Sequence, residues 1–94
     1  MPVFAVRYQY KDQVDELKNE IRPQHREWLG RQNAAGLLLA SGPFVGVNGA
    51  LLIWEYDDAD ALGSLLKHDP FAVHDLIEKT DITEWTNFFG PWAS

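Results

Sequence analysis

An α+β fold, with a four-stranded antiparallel sheet carrying its helices on one face, is predicted by three features of the sequence. Strand-like and helix-like apolar periods follow one another in the order β-α-β-β-α-β. The chain has 94 residues, the length of one domain, so residues 1–94 are expected to form a single unit. Two segments, Leu37-Leu38-Leu39-Ala40 and Leu51-Leu52-Ile53-Trp54, are apolar on both faces. The element order is that of the ferredoxin-like arrangement. An antiparallel sheet with one face in water alternates apolar and polar residues, and these two strands do not. A second layer must cover them. The simplest is the same sheet of a second copy packed about a two-fold axis. A homodimer joined through sheet faces is therefore expected, with a folded-over loop or tail as the alternative cover.

The first strand spans residues 3–10, with Phe4, Val6, Tyr8 and Tyr10 on one face and Val3, Ala5, Arg7 and Gln9 on the other. Arg7, in mid-strand among apolar neighbours, is expected to pair with Glu55 of the third strand. Asp12 is placed to cap the helix that follows, in which Val14, Leu17 and Ile21 form a stripe. Pro23 predicts a break, giving a short helix to residue 21 and a second from residue 23 to 35, closed by Gly36. Residues 37–41 read as the second strand and residues 50–56 as the third, with Asn48-Gly49 as the turn signal between them. Asp57 and Asp58 stand at the cap of a helix over residues 59–67, whose Leu62, Leu65 and Leu66 face inward. Asp69-Pro70 opens a helical turn, and residues 80–87 complete the sheet. The aromatic end, with Trp85, Phe88, Phe89 and Trp92, suits core and interface packing.

Composition removes several function classes. Hydrophobic residues make up 46% and charged residues 23%, a globular balance. No apolar run approaches the roughly 20 residues that span a bilayer, so no membrane partner is expected. The first residues lack the basic start and apolar stretch of a secretion signal, and a cytoplasmic location follows as the expectation. The absence of cysteine excludes disulfides, thiolate catalysis and cysteine-ligated zinc. A net charge of -6 argues against a nucleic-acid partner, which needs a basic footprint. No Gly-rich phosphate loop appears, so no nucleotide cofactor is expected. No Gly-x-Ser-x-Gly elbow suggests a serine hydrolase.

Two residues stand out as chemistry. His25, Trp28, Leu29 and Gln32 share one helical face, which turns an imidazole toward the interior while Arg22, Arg26, Glu27 and Arg31 take outward or flanking positions. Imidazole changes charge near neutral pH without tuning and suits acid–base work. An inward histidine is also the ordinary signature of a core residue held by one hydrogen bond. Asp69 continues the Leu62, Leu65, Leu66 stripe and leaves its helix near the buried side. Asp-Pro is a good helix start, and a capping carboxylate can also orient an imidazole from the neighbouring helix. Ser41, Gly42 and Pro43 end the second strand, where Gly42 allows close approach and Ser41 can donate to a ligand, although turn residues read the same way. His68 and His74 flank Asp69, but no recognised metal-ligand spacing occurs, so no metal is expected.

In order and spacing, Arg22-Pro23-Gln24-His25-Arg26-Glu27-Trp28-Leu29, Ala40-Ser41-Gly42-Pro43, Asn48-Gly49, Trp54-Glu55, Asp69-Pro70-Phe71 and Ile82-Thr83-Glu84-Trp85 resemble the YCII-related (YciI-like) proteins over nearly the whole chain. The resemblance implies a dimeric α/β barrel with His25 and Asp69 as its active-site pair, and a fold similar to that of muconolactone isomerase. One branch of that family is described as dehydrochlorinating a chlorinated hydroxyquinol. The expected function is thus a cofactor-independent lyase or isomerase for a small aromatic or lactone-like molecule. His25 and Asp69 are its candidate catalytic residues, and Ser41, Gly42, Pro43, Arg22 and Phe71 its candidate substrate-binding residues. The alternative is a non-catalytic binding or accessory dimer with a structural His–Asp pair.

Overall fold

Strand β1 (Val3–Tyr10) runs through the middle of the sheet because its even-numbered side chains are apolar or aromatic and its backbone pairs on both edges. The remaining elements of this computed structural model, which describes residues 1–93, follow in the expected order. They are α1 (Asp15–Ala34), β2 (Leu38–Pro43), β3 (Gly49–Glu55), α2 (Ala59–Leu66), α3 (Pro70–Val73) and β4 (Ile77–Glu84). The strand order is β2-β3-β1-β4, antiparallel throughout, which is the predicted ferredoxin-like sheet. One face carries the helices. There Phe4, Val6 and Tyr8 meet Leu52 and Trp54 of β3, Trp28 of α1, and Leu62 and Leu66 of α2. Trp28 and Trp54 tilt against each other with centroids 5.7 Å apart. Each such buried side chain contributes about 1.5–3 kcal/mol.

Helix α1 corrects the expected break. It is continuous, with Pro23 inside it. Proline removes the hydrogen bond to the Asn19 carbonyl, yet both residues are exposed, so water can solvate that oxygen. Ile21 and Trp28 are buried on either side of the proline, and one unbroken stripe outweighs a local cost of about 3 kcal/mol. The cap differs too. Gln13 takes a left-handed φ of 62° and Val14 stands at the N-cap without a side-chain bond, which leaves Asp12 outside the helix. Asp58 is the cap of α2, accepting from the Ala61 N–H at 2.7 Å.

The turn between β2 and β3 lies earlier than Asn48-Gly49. Gly46 supplies the left-handed residue, with φ 77°, and β2 continues to Pro43. Gly49 already belongs to β3, where a Cβ would run into the Tyr8 carbonyl oxygen. Only glycine lets β3 approach β1 at this point. Strand β4 starts at Ile77, three residues before the expected start at Thr80. Its polar run Glu78-Lys79-Thr80-Asp81 hides the pattern, and pairing from Tyr10↔Ile77 to Phe4↔Glu84 sets its limits instead.

On the opposite face, the register sets Ile53 between Ala5 and Ala40, with Leu51 two residues along β3. Arg7 and Glu55 share this face but pair with Leu51 and Val3, so the expected ion pair does not form. The Arg7 guanidinium lies 5.3 Å from the centroid of the Phe44 ring instead. Phe88 and Phe89 are exposed and take no part in the core. Among the described residues, no helix is long and apolar enough to cross a membrane.

Candidate active site

The helical face bearing Trp28 also carries His25, and α3 brings Asp69 to meet it. His25 Nδ1 lies 2.8 Å from Asp69 Oδ1 across 44 residues of chain. Asp69 is fully buried and also caps α3, its Oδ1 accepting from the Phe71 N–H at 2.9 Å. Its second oxygen accepts from the Tyr8 hydroxyl at 2.9 Å. Asp69 already accepts from the Phe71 amide and the Tyr8 hydroxyl, and as a further acceptor toward Nδ1 it favours the tautomer with the proton on Nδ1 and Nε2 free to accept. The imidazole is further held by a parallel stack on Phe71, with centroids 3.9 Å apart and planes 11° from parallel. Tyr10 stands edge-on to Phe71 at 5.7 Å. Buried charge, a three-point acceptor and a stacked ring leave the imidazole little freedom, which is what a positioned proton carrier requires.

His25 lines a cavity of about 350 Å³ between α1 and the β2–β3 end of the sheet. Arg22, Ser41, Gly42, Pro43 and Phe71 line the same cavity, so the structure brings all five candidate binding residues into one cavity with the imidazole. Asp69 does not reach the cavity wall and lies behind the ring. Its contact with the site runs through the His25 ring alone. Sequence reasoning missed Tyr8, Lys18 and Arg26. Tyr8 carried one signal, its place on the inward face of β1. Lys18 and Arg26 stand four residues before and after Arg22, and that spacing puts them on its side of the helix, so Arg26 lines the cavity rather than facing away from it. His68 and His74 are exposed. Among the described residues, no three histidines or carboxylates converge where they would hold a metal ion.

Burial, the charge of Asp69 and the hydrogen bond to it push the Tyr8 phenol far above its ordinary value. Tyr10 is pushed up from 10.0 to about 12 by burial and then by Asp69, with Arg22 pulling the other way. Both phenols are therefore held protonated in the fold, and Tyr8 remains a donor to Asp69. A phenol whose value is raised on folding adds stability that is complete below pH 10.0 and fades as pH climbs toward about 12. Urea midpoints should thus hold steady to pH 10.0 and then fall, with a smaller fall in a Tyr10→Phe variant. An equal alkaline fall in that variant would detach the effect from Tyr10.

The sequence pattern of the YCII-related domain matches residues 1–86. The chain belongs to the YCII-related domain family. No curated protein matches this YCII-related chain. Among solved structures it is similar to TftG, 5-chloro-2-hydroxyhydroquinone dehydrochlorinase from Burkholderia phenoliruptrix AC1100, in complex with 2,5-dihydroxybenzoquinone. The TM-score is 0.81 at 20% identity, over 90% of this chain and 94% of that one. It is also similar to protein Atu4242 from Agrobacterium tumefaciens, with a TM-score of 0.60 at 18% identity, over 97% of this chain and 98% of that one. At these identities the likeness is one of fold.

Proposed function

We propose that this YCII-related chain is a small cofactor-independent lyase or isomerase that moves a proton on a small aromatic or lactone-like, oxygenated molecule. The observation that carries the reading is the His25–Asp69 contact of 2.8 Å, with His25 on the wall of an open cavity and Asp69 sealed behind it. Nε2 takes a proton from a carbon or hydroxyl of the substrate. The resulting imidazolium is stabilised by the Asp69 carboxylate, which is itself held by Tyr8 and the Phe71 amide. In an elimination, the electron pair of the broken bond to hydrogen forms a double bond and the leaving group departs as an anion. In an isomerisation, the imidazolium returns the proton to a different carbon. Ser41, Gly42 and Pro43 line the β2 side, and Phe71, itself buried, backs the His25 ring. The fold shared with TftG, named for a dehydrochlorination, supports this reaction class. The test is turnover of a panel of chlorinated hydroquinols and unsaturated lactones by the wild type and by a folded His25→Ala variant. Unchanged turnover in the variant would remove the mechanism, and binding without turnover would leave a binding module.

The reading includes a homodimer. Partly exposed Ala5, Ala40 and Leu51 surround buried Ile53 at the centre of the sheet face away from the helices, an apolar strip that a second copy would cover. Sedimentation should give twice the chain mass, and Leu51→Glu should give monomers. A wild-type monomer at micromolar concentration would end this part of the reading.

A further inference from the structure

The cavity beside His25 is lined unevenly in charge. Lys18, Arg22 and Arg26 reach its wall and no carboxylate does. This is unexpected in a chain with 14 acidic residues against 8 basic ones. The three cations recur every fourth residue along α1, so they stand in one column on the cavity side of the helix. Lys18 lies 3.9 Å from exposed Asp15, and its ammonium otherwise rests over the Tyr10 ring at 4.3 Å. Arg22 donates to the neutral side-chain oxygen of Asn19. Among the described residues, neither Arg22 nor Arg26 has a carboxylate partner. Like charges four residues apart on a helix repel, and a half-enclosed wall screens them less than open water does. A bound anion removes both penalties. A guanidinium presents parallel N–H donors that match a carboxylate in a two-point contact.

We propose that the cavity takes its ligand as a small organic carboxylate, seated on Arg22 and Arg26 with its body toward Phe71 and the His25 ring. A volume of about 350 Å³ is near the lower end of ligand pockets, which span about 300–1,000 Å³, and suits a one-ring molecule. Lys18 adds charge at the far end of the column. This assignment rests on the reading of the cavity as the ligand site, but not on proton transfer.

Calorimetric titration with benzoate, benzamide and inorganic phosphate tests it. Benzoate is expected to bind, and the isosteric neutral amide to bind about tenfold more weakly or less, because charge-assisted bonds are worth about 1.5–3 kcal/mol. Phosphate, which has the charge without the ring, should also be weaker than benzoate. An Arg22→Gln, Arg26→Gln double variant should lose benzoate affinity about tenfold or more with its thermal melt unchanged. Single Arg→Lys variants, which keep charge and lose the fork, should fall between. Equal binding of benzamide and benzoate, undiminished benzoate binding by the double variant, phosphate binding as tightly as benzoate, or no binding of benzoate would each overturn the proposal. Turnover is not measured in this titration, so failure of the proton-transfer reading and failure of the carboxylate assignment are seen separately.

Discussion

Asp69→Ala should lower the unfolding free energy by about 3–5 kcal/mol, the usual cost of breaking a buried charged contact from one side. The carboxylate is fully buried and accepts from three donors: the Tyr8 hydroxyl, the Phe71 amide and His25 Nδ1. Alanine leaves all three without a partner, two of them, the Tyr8 hydroxyl and the Phe71 amide, buried, and each orphaned buried donor costs about 1–3 kcal/mol. It also removes the cap of α3 and, with it, the anchor of Phe71 against the imidazole. Domains of this size have only about 5–15 kcal/mol in total. Urea unfolding should show a much lower midpoint with an unchanged slope. Asp69→Asn should cost less, since its amide oxygen retains one acceptor and the Tyr8 hydroxyl can reverse to accept from the amide N–H. A loss below about 1 kcal/mol for the alanine variant would contradict the three-donor arrangement.

His25→Ala is expected to reduce turnover of the proposed substrates by about 10²–10⁴-fold, the usual contribution of a positioned acid–base group. The fold should survive, because the side chain is partly open to the cavity and Asp69 retains its bonds to Tyr8 and the Phe71 amide. His25→Gln provides the control. Its amide N–H can still donate to Asp69 but cannot carry a proton, so it should restore stability without restoring turnover. The alanine variant leaves a ring-shaped space against Phe71, and added imidazole should recover part of the lost rate. A His25→Gln enzyme as fast as the wild type would reassign the residue to binding.

How much of this was legible in the residues varies with the range of the interaction. Strand β1 was readable because its period-two pattern lies within eight residues. Helix α2 was readable because Asp58 and three leucines lie within nine positions of one another. The meeting of His25 with Asp69 was reachable by combining two local stripes with a known element order. Helix α1 defeated the same logic, since Pro23 is a strong local signal and the stripe that overrode it needed a sheet to pack on. Tyr8 went unmarked as a site residue because its inward place on β1 is shared with Phe4 and Val6, and the partner of its hydroxyl lies 61 residues away.

By itself, the order of apolar periods determined the sequence of strands and helices, short of the continuity of α1, and placed one imidazole and one carboxylate on inward faces. These depend on side-chain spacing over a few residues, where propensity and amphipathicity act. Only the folded arrangement decided that β4 begins at Ile77, that Gly49 must lack a Cβ beside Tyr8, that Arg7 and Glu55 miss each other, and that a phenol 61 residues away holds Asp69 from behind. Those outcomes turn on strand register and on which groups run out of water. Register and desolvation are properties of elements already packed together, and no stretch of chain expresses them alone.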